Sequence, residues 1–443
     1  VITSIPSTSC DCEIDMTYVL LHRLVKRAAD KTAGDHEHRP RQPMLRDLCP
    51  ALANKTYFNY GGQGPLPTPS LEAITASWQN IQELGPFTNS VWPYVAKEVQ
   101  ATRSHLAKLC GVAPHRIALT ENVTSGCVLP LWGLPFSEGD RLLISDCEHP
   151  GIVAACIELA RRQHLEIDTL PVKNLRHGAN DQTTSDSLVL ERLEQHLKPS
   201  TRLVVLSHLL WNTGQVMPIS AVSTALSHHP QQPFLLVDAA QSFAQMPIQE
   251  AAAASDIYAF TGHKWACGPE GLGGVALSER VLAEANPTLI GWRSLQNEGH
   301  LQSNLDELFH HDSRRFEVAT SCVPLMAGLR CSLELLEAAG SQQERLSQIR
   351  QGSRHLWNQL QQLTGVETLL NSAPAAGLVS FELPQGPPAP DVVKQLGNDQ
   401  LWIRHLEDPI CLRACVHITT EEQELNTLTT SLKQLASKGE PSN

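Results

Sequence analysis

The 443-residue chain has no excess of positive charge: 34 Lys+Arg stand against 46 Asp+Glu, a formal net charge of −12. Without a global positive field it offers nothing to attract nucleic acid or an anionic membrane surface, and neither is expected as a partner. A small anionic ligand would need a local basic pocket. The sequence also has no run approaching the roughly 18 apolar residues of a membrane span. At the N-terminus, Asp11, Glu13 and Asp15 stand where a secretory signal would be basic. A cytoplasmic protein is expected. The twelve cysteines never fall into paired C-x-x-C spacing, which argues against a zinc ribbon, and a chain of this length needs no disulfide framework. They are expected to be reduced, buried small apolar residues. No internal repeat is present.

What is present is enough apolar material, 42% hydrophobic against 18% charged, for a sizeable core in one large or two medium domains. Residues 1–43 differ from the rest: VITSIPSTSCDCEID is polar and acidic, and DKTAGDHEHRPRQP is charged and broken by proline. The pairs Cys10-x-Cys12 and His36-x-His38 have no second pair at zinc-site spacing, so no metal site is expected. A disordered extension is expected here.

From about residue 100, short β-branched runs alternate with amphipathic stretches. The runs 116–120, 141–145, 165–172, 201–208, 234–238, 256–260 and 273–278 predict strands, and 151–163, 188–197 and 220–229 predict helices among them. The pattern is that of an α/β fold with a mostly parallel seven-stranded sheet sandwiched by helices, its strands buried on both faces and so continuously apolar. After residue 325 the pattern changes to a long helix over 326–363, broken near Gly340. Strands at 378–383, 401–406 and 411–418 follow, then a helix over 420–437. The expected organisation is therefore a large α/β domain over 101–325 and a smaller α+β domain over 326–443, with 44–100 packing against the small domain.

In open α/β sheets ligands gather at the carboxyl ends of the strands. The polar residues there are Glu148 and His149, then His208, Trp211 and Asn212, then Asp238 and Gln241, and finally Thr261, His263 and Lys264. Lys264, hemmed by Phe260, Trp265 and glycines, is either a loop lysine reaching solvent or a partly desolvated amine suited to Schiff-base chemistry. Asp238 favours the second reading, because a carboxylate on a buried strand end needs a partner and the protonated ring nitrogen of pyridoxal phosphate is a suitable one. Thr124, Ser125 and Gly126, between a strand and a helix, are a phosphate cradle or simply a helix cap.

VDAAQSFAQMPI, TGHKW, SHLLWNTGQVMPI, DCEHPG and RFEVATS together resemble the pyridoxal-phosphate enzymes of fold type I, in the class V aminotransferase and cysteine desulfurase group. ALANKTYFNYGGQG, NVTSGC, AFTGHKW, GWRS and SAPAAGLVSFEL look most like the cyanobacterial L-cysteine/cystine C-S lyases within it. The resemblance, which runs from about residue 50 to the C-terminus, implies pyridoxal 5'-phosphate as cofactor. It implies Lys264 as the Schiff-base lysine, Asp238 on the ring nitrogen, Gln241 on the phenolate oxygen and His149 on the ring face. Thr124, Ser125, Gly126, Thr261 and His263 would hold the phosphate, and Thr320 the phosphate of a neighbouring subunit's cofactor, which implies a homodimer with shared active sites. Substrate carboxylate binding falls to Arg404, Arg413 and Asn212, since a guanidinium fork matches a carboxylate. For each arginine a surface salt bridge with Glu407 or Asp408 is the plain alternative.

The implied reaction is β-elimination from L-cystine or L-cysteine to pyruvate, ammonia and a persulfide or sulfide. The sulfur would pass to an acceptor protein, for example for iron–sulfur clusters. Three alternatives stand beside it: a cysteine desulfurase forming alanine, an epimerase or aminotransferase of the same group, and a non-catalytic binding protein with the same fold. Cys411 and Cys415 alternate with Arg413 on one strand face, so either is a packed strand residue or a sulfur nucleophile.

Overall fold

In a computed structural model, residues 44–178, 181–296 and 308–437 are described. The expected extension over 1–43, with Cys10, Cys12, His36 and His38, lies outside them. The strands are β1 (Thr56–Tyr57), β2 (Ile117–Thr120), β3 (Arg141–Ser145), β4 (Glu166–Leu170), β5 (Thr201–Ser207), β6 (Phe234–Asp238), β7 (Ile257–Thr261), β8 (Gly273–Leu277), β9 (Glu367–Thr368), β10 (Leu378–Glu382), β11 (Leu401–Trp402), β12 (Arg404–Glu407) and β13 (Ile410–Cys415).

Seven of them form one sheet in the order β2-β8-β7-β6-β5-β3-β4. The β7-β6-β5-β3-β4 neighbours pair in parallel, while β8 runs antiparallel to both β7 and β2. The seven strands predicted for this sheet are all present, and the fold is α/β with a mostly parallel central sheet. Central strands β6 and β7 are buried at every residue, which is why their sequences are continuously apolar. Edge strand β4 is mostly open to solvent, and polar Asp168 there takes a two-point contact from Arg141 of β3, at 2.5 and 2.9 Å. Apolar clusters line both faces of the sheet. Because the parallel strands run the same way, their carboxyl ends bring Ser145, Ser207, Asp238 and Thr261 to one rim, with Ser207 and Asp238 directly paired.

A second, antiparallel sheet orders β12-β13-β10-β9 and packs against the helices Gln342–Gln361 and Glu422–Ser437. The long helix predicted over 326–363 is two helices, Val323–Ala338 and Gln342–Gln361. The break follows from a capping box: Ser341 accepts from the Glu344 amide while the Glu344 carboxylate accepts from the Ser341 amide.

Packing distributes the N-terminal segment between both units. β1 pairs with β11, and Phe58 lies in the core of the small sheet. The helices Thr68–Leu84 and Val91–Cys110 pack instead on Val323–Ala338, whose Met326, Leu329, Leu333 and Leu336 belong to the core of the large sheet. The helix Gln342–Gln361 begins in that core at Leu346 and ends in the other at Leu356 and Leu360. On packing grounds we propose the division between the two units inside this helix.

Candidate active site

At the rim of the large sheet, under the small one, a cavity of about 280 Å³ gathers Thr124, His149, Asp238, Gln241, His263, Lys264, Arg404 and Arg413 from at least five separate segments. Eight of the residues singled out in the sequence thus share one space.

Asp238 ends β6. Its Oδ1 accepts the Ala240 amide at 2.8 Å, while Oδ2 has no protein partner among the described residues. Burial raises the carboxyl pKa, against the opposing effects of that amide and of the nearby Lys264 amine. Lys264, three residues past β7, is pushed down to about 8 by burial, with Arg413 and Arg404 adding like-charge repulsion and Asp238 opposing. Its amine is therefore appreciably neutral near neutral pH, where an ordinary lysine would be charged.

Gln241 is clamped at both ends: Nε2 donates to the Gly61 carbonyl and Oε1 accepts the Trp265 indole N–H, each at 2.9 Å. Gly61 has no room for a side chain, because a Cβ there would stand 2.8 Å from Arg413 Nη2 and 2.9 Å from Gln241 Oε1. His149 caps the helix Pro150–Gln163, its Nδ1 accepting the Gly151 amide at 3.2 Å. This leaves Nε2 as the protonated nitrogen of a neutral ring, and partial burial lowers its pKa accordingly. The ring meets Trp211 edge-on at 5.9 Å.

On the small unit's side, β13 presents Arg413 opposite Arg404 of β12. Arg413 is 1% exposed. Its Nη1 donates to the Trp211 carbonyl at 2.6 Å and its Nε has no partner. Arg404 is exposed. The two nearby acids are engaged elsewhere, Asp408 with Lys173 at 2.6 Å and Glu407 with His405 at 3.4 Å, so the salt-bridge alternative fails for both arginines.

Five of the proposed residues lie outside the lining. The amides of Ser125 and Gly126 are already taken by Asn122, through its side chain and its carbonyl respectively, both at 3.0 Å. Gly126 packs its helix onto the sheet: a Cβ there would meet Ala259 at 3.1 Å. Among the described residues the helix amides of Val123 and Thr124 have no partner, and they stand beside the Thr124 hydroxyl where they can receive an anion. Thr261 is buried, and its hydroxyl bonds His263 Nδ1 at 2.8 Å, turning that ring toward the cavity rather than touching a ligand. Asn212 is buried, with Nδ2 donating to the Asp408 carbonyl at 2.9 Å. Thr320 is exposed, past the Glu317–Arg103 ion pair at 2.6 Å that fixes this segment.

His208, a strand-end candidate, sits in the core with Nδ1 on the Tyr258 hydroxyl at 2.8 Å; burial pushes it down to about 4. Nine of the ten described cysteines are buried, Cys322 being exposed. Gly61, Gly62, Asn122, Val123, Ser207, Leu209, Trp211 and Ala240 line the cavity as well. Trp211 is one of the strand-end residues already named from the sequence; for Gly61 and Gly62 the available signal is the Gly-Gly pair after TYFNY.

The donor set fits a ligand with three parts. Free helix amides with Thr124 and His263 suit a phosphate, Asp238 Oδ2 suits a protonated ring nitrogen, and the buried guanidinium of Arg413, only partly satisfied by the Trp211 carbonyl, suits a carboxylate. The clearance left by Gly61 keeps that last contact open.

Among solved structures, the chain is similar to the cystine C-S lyase C-DES in complex with its reaction product cysteine persulfide, with 42% identity and a TM-score of 0.81, covering 87% of this chain and 99% of that one. A C-DES mutant with glycine covalently linked to the PLP cofactor matches at 41% identity and the same TM-score, over 88% and 99% of the two chains. Among curated proteins, a probable cysteine desulfurase of Methanothermobacter thermautotrophicus is 24% identical over 90% of this chain and 98% of its own length. The isopenicillin N epimerase of Amycolatopsis lactamdurans is 27% identical over 88% and 96%. The family model for class-V aminotransferases matches residues 78–427, and the chain belongs to that family.

Proposed function

We propose that the protein binds pyridoxal 5'-phosphate and cleaves the C–S bond of L-cystine, or L-cysteine, by β-elimination to pyruvate, ammonia and a persulfide or sulfide. The observation that carries elimination over desulfuration is the cavity wall itself: no cysteine lines it among the described residues. Cys411 and Cys415 are 1% and 0% exposed. Cys411 packs with Leu369, Leu406 and Trp211, and burial pushes its thiol up to about 12; a protonated, enclosed thiol is a poor nucleophile. Cys415 Sγ accepts the Gly61 amide at 3.3 Å, behind the wall.

When bound, the cofactor supplies an electrophilic carbon for amines and a ring that accepts the electron pair of a broken Cα–H bond. Lys264 would tether the cofactor, and its neutral amine would serve as the base for the substrate's α-proton. Asp238 would hold the proton on the ring nitrogen, and Gln241, itself fixed by Gly61 and Trp265, would face the phenolate oxygen. His149, neutral and fixed by the Gly151 amide, lies against the ring. Thr124 and His263 hold the phosphate with the Val123 and Thr124 amides; Ser125, Gly126 and Thr261 shape that cradle indirectly. Arg413, assisted by Arg404, fixes the substrate carboxylate, and Asn212 supports the loop beneath it. Cystine is favoured over cysteine because a persulfide is a weaker base, hence a better leaving group, than a thiolate. Thr320, a homodimer with shared sites, a sulfur acceptor for iron–sulfur clusters and a cytoplasmic location complete the proposal.

The test is to incubate the holoenzyme with cystine and, separately, with cysteine, and to quantify pyruvate against alanine. Stoichiometric pyruvate is expected, and predominant alanine would establish the desulfurase reading instead.

A further inference from the structure

A second cavity, of about 250 Å³, opens between the large and small units. One wall carries Arg176, from the turn Lys173–His177, and Gln215, which follows β5. The other carries Arg350 and Arg354, one helical turn apart on Gln342–Gln361 and so on one face. None of the three guanidinium groups has an ion-pair partner among the described residues. The one acid in the wall, Asp181, is occupied in capping a helix, accepting the Thr184 amide at 2.7 Å.

Arg176 and Gln215 are 9% and 5% exposed, and each is only half satisfied. Arg176 Nη1 donates to the Lys173 carbonyl at 2.6 Å while its Nε has no partner. Gln215 Oε1 accepts the Thr213 hydroxyl at 2.9 Å while its Nε2 has none. Buried donors without acceptors are costly. Three gathered cations without a counter-charge repel one another, and this happens in a protein whose net charge is −12. Both features are relieved by one occupant, an oxyanion that accepts from several forked donors at once.

We infer that this cleft binds a small multivalent oxyanion, a phosphate or a di- or tricarboxylate, which bridges Arg176 of the large unit to Arg350 and Arg354 on the helix Gln342–Gln361 that spans the two units. The anion clamps the two units together where Asn371 Nδ2 already reaches the His177 carbonyl at 2.9 Å. The site is separate from the phosphate cradle at Thr124 and does not depend on the reaction proposed above.

The experiment uses holoenzyme, so that the cofactor's own phosphate position is filled. Thermal unfolding is followed in inorganic phosphate, in citrate and in sodium chloride at matched ionic strength, for the wild type and for the double variant R350Q/R354Q. Both substituted residues are exposed, and an unchanged cofactor absorption spectrum confirms that the variant keeps its fold. At least one of the two oxyanions is expected to raise the Tm of the wild type by about 2 °C or more over chloride, and the double variant is expected to lose that increment. A response to phosphate identifies the phosphate class, and a response to citrate alone identifies the carboxylate class. If neither anion exceeds chloride, or if the double variant responds like the wild type, the site does not exist.

Discussion

The two walls of the active-site cavity are built on opposite terms. On the large-sheet side three polar side chains are held by the protein, Gln241 between Gly61 and Trp265, His149 by Gly151 and His263 by Thr261, while Asp238 fixes only one carboxylate oxygen, on the Ala240 amide. On the small-sheet side Arg413 keeps a buried nitrogen without a partner and Arg404 faces solvent. The first wall is preorganised for a resident group, whose orientation must not vary between turnovers. The second is left incomplete for a ligand that arrives and leaves, and completing Arg413 is part of the binding energy of that ligand. Losses on the first wall should therefore appear in chemistry and cofactor retention, and losses on the second in substrate affinity.

The largest effect is expected at Lys264. Lys264→Ala should remove the Schiff-base absorption band and lower kcat by a factor on the order of 10³ or more, since tether and base are lost together. Cofactor capture also gives a pH signature. The attacking species is the neutral amine, so the rate of reconstitution from apoenzyme should rise with pH and level off above about 8, the depressed value for Lys264. A rate still climbing toward the ordinary lysine value near 10.4 would show that burial does not tune this amine. Stopped-flow absorbance between pH 6 and 10 distinguishes the two.

Much of this comparison is legible in the sequence. The parallel strands declare themselves because both faces are buried, and strand ends such as Asp238 and Lys264 are polar residues directly after apolar runs. What sequence could not supply is which of several neighbouring polar groups points outward. Thr124 and Ser125 are adjacent, yet Asn122 consumes the amide of one and leaves the other free. Thr261 and His263 are two apart, yet one serves to aim the other. The contribution of Gly61 rests on a contact across the chain with Gln241 and Arg413, which no local pattern encodes. Helical periodicity over 326–363 likewise does not say which core an apolar face meets: Met326 and Leu329 pack in that of the large sheet, Leu356 and Leu360 in that of the small one.

On the second wall the two arginines should separate. Arg413→Lys keeps the charge but loses the planar fork and leaves the Trp211 carbonyl unserved, and a roughly 10²-fold rise in KM is expected with kcat changed far less. Arg404→Lys, in an exposed position, should raise KM by less than about 10-fold. Steady-state kinetics on cystine measure both. Equal effects, or a fall in kcat larger than the rise in KM at Arg413, would dissolve the division between a cofactor wall and a substrate wall.

The smallest effect belongs to the cysteine that shares a strand face with Arg413. Cys411 lies two residues away, but its sulfur is packed among Leu369, Leu406 and Trp211 and its thiol is held protonated by burial. Cys411→Ala removes only part of a packed side chain there, at a cost of about 1 kcal/mol in stability, and pyruvate formation from cystine should stay within about twofold of wild type. A sulfur-relay role requires the opposite: loss of turnover, with wild-type protein carrying a persulfide on Cys411 that mass spectrometry of the trapped enzyme would find. The prediction therefore tests whether proximity along a strand amounts to access. In this strand the alternation that points Arg413 into the cavity also points Cys411 to the same face, and it is the packing with Leu369, Leu406 and Trp211, not the strand register, that encloses that sulfur.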